Sequence, residues 1–485
     1  MMARVKIRDM VVVLPGITGS VLQKDGRDLW AISGQAVWRI LASLGDTLQD
    51  LLLVGDDPAV DDLGDGIRAT GVIQDLHMVP GLVKIDGYSG LRRLFTQEFE
   101  VVPGSPDDER PANYFEFAYD WRRDNRYAAR KLQELVNRKL PQWRDHSGAQ
   151  DARVILVAHS MGGLISRYYL EVLQGWRDCR ALITFGTPYR GSVNALGYLA
   201  NGYKQLFLDL TEVMRSFTAA YQLLPIYRSV QTGQGFARVA EIDGIPGIDR
   251  DRAAAALRFH REIEEAVAAN RKEADYFTQG YRILPVVGTR QKTFQSATLA
   301  GGRLTVAHVA PEGVPTFLAD GDGTVPRVSA IPIELSNEFF DTFVAEKHSS
   351  LQNNGAMLEQ LLERVKLMQA PELGGIRDVP PARPPVEQMP ALALEVEDLY
   401  LAQEPVTIQA QTFNVEEPVG LVAEIVAIDG GAPMRLPLVR QEDSWGATLE
   451  SLAAGSYRIT LKTDWTGPEA PEPVHDVFAV VDGRG

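Results

Sequence analysis

The stretch Val154-Ile155-Leu156-Val157-Ala158-His159-Ser160-Met161-Gly162-Gly163-Leu164 decides the fold. Its first five residues are apolar and rich in β-branched side chains, which predicts a buried strand. Small residues follow, and then a helix-like run from Leu164 to Leu173. A strand that turns sharply into a helix lifts a serine oxygen to the sheet edge. The crowding of backbones there demands small residues two positions to either side of the serine. Ala158 and Gly162 fill those positions around Ser160, with Ala158 placing one methyl where such turns most often have glycine. Alone, the pentapeptide reads first as an ordinary strand-to-helix turn whose serine caps the helix.

Outward from this point, apolar β-type runs alternate with helical patterns from Val11 to about Met368, as in a parallel sheet covered by helices. Strands are predicted over Val11–Leu14, Tyr114–Tyr119, Val154–Ala158, Leu182–Phe185, Ile283–Val287 and Phe339–Val344. Helices are predicted over Tyr127–Leu140, where Ala128, Leu132, Leu135 and Val136 recur at helical spacing, and over Leu351–Met368. This α/β unit spans residues 1–370. Pro371, Pro380, Pro381, Pro384, Pro385 and Pro390, with Gly374-Gly375, then mark a semi-extended linker over 371–390. Beyond it, short alternating segments beginning at Leu392, Val406, Leu421 and Tyr457 predict a C-terminal all-β sandwich over 391–485, immunoglobulin-like in the loose sense.

At 485 residues, more than one domain is the default. A net charge of −15 argues against a nucleic-acid partner and against docking on anionic lipid through charge, since both need a basic surface. The lone Cys179 cannot form an internal disulfide, and its apolar neighbours mark it as a core residue. The apolar run Met10–Leu14 is too short for a signal peptide, and no run approaches the roughly 18 apolar residues of a membrane span. A cytoplasmic location is the expectation. No cluster of His, Cys or carboxylates has ligand spacing and no dinucleotide fingerprint occurs, so neither a metal nor a cofactor is expected.

Where a serine at such a turn is a nucleophile, an acid and then a histidine follow it on loops after late strands. Asp322 lies in Asp320-Gly321-Asp322-Gly323-Thr324-Val325-Pro326, and His348 follows the last predicted strand. A serine hydroxyl is a weak nucleophile until a histidine takes its proton, and a carboxylate must hold the imidazolium that forms. Spacing does not rank Asp322 above its rival Asp320, and the loop also suits a surface turn or a weak calcium loop. His308 rivals His348, although it precedes the acid. His77, His146 and His159 precede the serine, His260 lies in a charged helical run and His475 in the terminal β segment. Two amides must also receive an oxyanion. Met161 N–H is one, and the tight loop Leu14-Pro15-Gly16-Ile17-Thr18-Gly19-Ser20 offers Ile17 N–H as the other.

Together, Val13–Ser20, Tyr119-Asp120-Trp121-Arg122, Ala158–Gly163, Phe185-Gly186-Thr187-Pro188-Tyr189-Arg190-Gly191-Ser192 and Gly321–Pro326 with His348 resemble the lecithin:cholesterol acyltransferase-like family of α/β-hydrolases. That family includes lysosomal phospholipases and phospholipid:diacylglycerol acyltransferases. The resemblance covers most of residues 10–368. It implies an α/β-hydrolase fold with a mainly parallel sheet, Ser160 as nucleophile, Asp322 rather than Asp320 as acid, His348 as base, and Ile17 and Met161 as oxyanion hole. It also implies a cap or lid after Ser192, set at about 193–280. There Leu199, Tyr203, Leu206, Phe207, Met214 and Phe217 supply more apolar surface than a connection needs, suited to an acyl chain and to peripheral membrane contact. The signal peptide and disulfide-forming cysteines of secreted members are missing, and the C-terminal β unit, of unknown partner, is added. The expected function is a lipase- or phospholipase-type esterase. An O-acyltransferase would need the same groups, and a non-catalytic binding protein on this fold is the third alternative.

Overall fold

All five side chains of the strand Met10–Leu14 (β1) are buried, which requires a sheet covered on both faces. In the computed structural model, residues 4–30, 49–75, 77–79, 83–205, 208–335, 342–369, 388–415, 420–442, 444–465, 467 and 470–482 are described. The other central strands are Tyr114–Glu116 (β2), Val154–His159 (β3), Cys179–Phe185 (β4), Arg282–Gly288 (β5) and Phe343–Val344 (β6). Every pairing among them is parallel, in the order β2-β1-β3-β4-β5-β6.

Alternation along the strands splits the core between two faces. Val12, Leu14, Leu156 and Ala158 join Leu132, Val136 and Leu140 of the helix Asn125–Ser147 (α1). Val11, Val13, Ile155 and Val157 meet Phe95 of the helix Ser89–Glu98 and Leu361 of the helix Gly355–Gln369. The predicted α1 ended at Leu140, before Pro141, yet the helix runs through this proline to a left-handed Gly148. Trp143 explains the extension: it is buried and its Nε1–H donates to Arg8 O at 2.7 Å, so packing outweighs the backbone bond that proline forfeits. The predicted helix Leu164–Leu173 begins earlier, at Met161, and changes to π-helical backbone over Tyr168–Val172.

Between β4 and β5 the chain forms short helices, a hairpin over 230–237 and the long helix Arg250–Asn270. The hairpin pairs with the strand Ser296–Ala300 beyond β5, giving a separate four-stranded sheet. Residues 339–341 of the last predicted strand, Leu206 and Phe207 of the predicted cap, and 371–387 of the predicted linker lie outside the described residues.

The C-terminal unit is all β. One antiparallel sheet carries Ala391–Val396, Val406–Phe413, Val439–Arg440 and Trp445–Leu449. The second carries Leu399–Leu401, Leu421–Ala427, Met434–Pro437, Gly455–Thr463 and Val474–Val481. Leu392 and Ile408 of the first sheet share a core with Ile425, Leu461 and Phe478 of the second. This unit rests on the α/β unit: Gln291, at 1% exposure, donates to Leu392 O at 3.0 Å and accepts from Leu394 N–H at 3.2 Å.

Candidate active site

In an open parallel sheet, ligands bind beyond the carboxyl ends of the strands where the strand order reverses. Here the reversal falls between β1 and β3. The loop after β1 and the turn after β3 meet at that crevice, and Ser160 stands on the turn with φ 51° and ψ −123°. That backbone is unfavourable for a residue with a Cβ, by on the order of 1–3 kcal/mol. Its surroundings hold it there. Ser160 N–H donates to Phe185 O at 2.8 Å, and Ser160 O accepts from Gly163 N–H at 3.0 Å and Thr187 Oγ1 at 2.9 Å. A side chain at Gly162 would bring its Cβ to 2.6 Å from Pro15 O, whereas Ala158 fits as a fully buried methyl.

His348 Nε2 lies 2.9 Å from Ser160 Oγ, and His348 Nδ1 lies 2.7 Å from Asp322 Oδ2. A carboxylate only accepts, so Nδ1 carries the proton and Nε2 accepts from the serine hydroxyl. The other oxygen, Asp322 Oδ1, accepts from the backbone N–H groups of Thr324 at 2.9 Å and Val325 at 2.7 Å. His348 N–H donates to Asp322 O at 2.8 Å, so the two loops are bound by backbone as well as side chain. Gly186, at φ +57°, lets them approach, because a Cβ there would lie 2.8 Å from His348 Nδ1 and 2.9 Å from Asp322 Oδ2. The arrangement can pass a proton from Ser160 Oγ to His348 while Asp322 orients the ring.

The rival residues are engaged elsewhere. Asp320 Oδ2 accepts from Arg290 N–H at 2.9 Å, and exposed His308 stacks on Phe294 with ring centroids 4.4 Å apart. His260 bonds Gln222 O, and His475 bonds Glu346. Met161 opens its helix, where an N–H has no intrahelical acceptor, and Ile17 lines the same cavity as Ser160. Trp121 is buried against Trp30 and Phe217, and Arg122 donates to both oxygens of Asp120. Cys179 is buried with its thiol pushed up by desolvation.

Sequence reading set His159 aside and did not single out Tyr88. His159 is buried, which depresses its pKa to about 3 and keeps the ring neutral. Its Nε2–H donates to His348 O at 3.0 Å, because a carbonyl has no proton to give. Nδ1 therefore accepts from Tyr88 Oη at 2.8 Å, and Tyr88 Oη in turn accepts from Gly16 N–H at 2.8 Å. This chain ties the loop that carries Ile17 to the loop that carries His348. His159 lay in plain view beside Ser160; nothing in the local sequence marks Tyr88.

The cavity above Ser160 is about 290 Å³. Its lining includes the apolar or aromatic side chains of Tyr198, Leu199, Met214, Phe217 and Leu223 and the charged ones of Lys84, Lys347, Asp398 and Asp476. Asp398 and Asp476 come from the C-terminal unit, which sequence reading had not connected with the site. No described helix is long and apolar enough to cross a membrane.

Residues 108–243 match the family model described as lecithin:cholesterol acyltransferase. The lysosomal phospholipase A and acyltransferase proteins of Homo sapiens and Rattus norvegicus are each 32% identical over 118 residues, covering 22% of this chain. The chain spans 27% of the length of these curated relatives. Among solved structures, the mature form of the Bacillus licheniformis lipase BlEst2 aligns over 74% of this chain and 91% of its own, at 13% identity and a TM-score of 0.31.

Proposed function

We propose that this chain, whose residues 108–243 match the lecithin:cholesterol acyltransferase family model, is a member of that family and a serine hydrolase acting on carboxylic esters of lipids. The observation that carries the proposal is the run of hydrogen bonds Ser160–His348–Asp322 in a cavity that apolar side chains help to line. In this reading Ser160 Oγ attacks the ester carbonyl carbon as its proton passes to His348 Nε2. The oxyanion is received by the amides of Ile17 and Met161. The imidazolium gives the proton to the departing alcohol oxygen, leaving an acyl-enzyme. Water then attacks with His348 as base, releasing the acid and restoring the serine. We read residues 1–370 as the catalytic unit, with its cap at about 193–280, and 391–485 as an immunoglobulin-like β-sandwich.

An O-acyltransferase is the second reading, favoured by the description of the matched family and the names of the relatives. There an alcohol replaces water as acceptor of the same acyl group. Incubation with a medium-chain lipid ester, with and without a lipid alcohol, followed by product analysis tests both. Free acid in either mixture is expected. Acyl transfer to the added alcohol would move the second reading ahead, and no acyl product at all would overturn both.

Tyr88 and His159 are positioning residues in this reading. Tyr88→Phe leaves Gly16 N–H and His159 Nδ1 without their shared partner and loosens the oxyanion loop. We expect kcat to fall about tenfold with KM nearly unchanged, since the lost geometry matters in the transition state. Steady-state kinetics beside urea unfolding check this. A stability loss of about 1–3 kcal/mol with kcat intact would reduce Tyr88 to a structural role.

A further inference from the structure

The charged residues that line the cavity come from both sides of the boundary between the two units. Lys84, on the α/β unit, pairs with Asp398 at 2.5 Å and Asp476 at 3.1 Å, both from the C-terminal unit. Two carboxylates therefore hold one ammonium, and they raise its pKa against the opposing effect of burial. Lys347 is treated differently. Its side chain is only 15% exposed, and its sole ion pair among the described residues is with Asp476 at 3.9 Å, a carboxylate already engaged by Lys84. Desolvation lowers its pKa and Lys84 nearby adds to the effect, while the carboxylates of Asp476, Asp398 and Glu395 oppose the shift without reversing it. A desolvated ammonium with so distant a partner is costly and gains most from an incoming anion.

Place fixes which part of an ester would meet it. Lys347 immediately precedes His348 and lines the same cavity. The acyl chain belongs against the apolar side chains of the lining, whereas the departing alcohol must take its proton from His348 and so lies on the histidine's side. We infer that Lys347, set by the carboxylates of the C-terminal unit, is a specificity-determining residue that selects esters whose alcohol part carries an anionic group. Asp398 and Asp476 hold Lys84 away from the same role. The inference rests on the ester-hydrolase reading and adds the chemistry of the leaving alcohol and the part played by the second unit.

Three butyryl esters of matched size test it on the full chain: 2-phosphoethyl butyrate, 2-hydroxyethyl butyrate and butyrylcholine. The wild type should favour the anionic ester by kcat/KM. In Lys347→Met the ratio of anionic to neutral ester should fall about tenfold, and Lys347→Arg should restore most of it. A ratio unchanged in Lys347→Met overturns the inference. So does a preference for butyrylcholine that disappears in Asp398→Asn, which would make the carboxylates the recognising groups. Turnover of none of the three, with no fluorophosphonate adduct on the wild type, overturns the ester reading itself and this inference with it.

Discussion

Ser160→Ala is expected to lose the single adduct that a fluorophosphonate leaves on the wild type, and to lower ester turnover by about 10⁴-fold or more. The magnitude follows from the nature of the group removed. His348 has no other hydroxyl to activate within the hydrogen-bond run, and what survives is transition-state binding by the oxyanion amides and the cavity. Intact-mass analysis reads the adduct and steady-state assay reads the turnover. The fold should survive, because the backbone of Ser160 is held by Phe185, Gly163 and Thr187 and not through its hydroxyl. An adduct that persists in the mutant would place the reactive nucleophile elsewhere. No adduct on folded wild type would favour a binding protein on this fold.

The second large effect is expected at the acid. Asp322→Asn should reduce kcat by about 10⁴-fold, while Asp320→Asn should stay within a few-fold of wild type. An amide at 322 can still offer an oxygen to Thr324 and Val325, so the loop keeps its shape. The nitrogen it would then turn toward His348 is a donor, which forces the proton onto Nε2, the wrong side for accepting one from Ser160. Asp320 meets Arg290 and Arg327 instead, and its loss leaves the tautomer of His348 alone. Equal losses in the two mutants would point to loop collapse and away from an assigned acid. A normal kcat in Asp322→Asn would remove it from the mechanism.

Much of this arrangement was legible because local chemistry demands it. Buried strands such as Met10–Leu14 and Val154–His159 announce themselves by continuous apolar runs, and a sharp strand-to-helix turn by its small neighbours. The order of serine, acid and histidine then follows the order of strands in a parallel sheet. Pro141 misled because a proline's local penalty is visible in sequence, whereas the burial of Trp143 that outweighs it is not. Tyr88 was illegible for a related reason. It reaches His159 across 71 residues of chain, and a lone tyrosine beside Gly87 carries no local mark of such a partner. The contribution of Asp398 and Asp476 to the cavity was hidden in the same way, since alternation within a β segment gives its fold and not what it rests upon.

Glu346 gives the proline-rich stretch a different standing from that of a simple tether. Its carboxylate is fully buried and accepts from the adjacent Lys347 N–H at 2.9 Å and, from further along the chain, from the backbone N–H of His475 at 2.8 Å, from His475 Nδ1 at 2.8 Å and from Asn354 Nδ2 at 3.0 Å. Two of these four donors come from beyond the stretch, as do both partners of the Gln291 side-chain amide. A protein cut before Ala391 would open to solvent the buried amide of Gln291 and a buried carboxylate two residues from His348, on the segment that must hold its ring. The C-terminal unit is therefore no removable module for expression or fusion: the segment that carries His348 is packed to completion only when that unit is present.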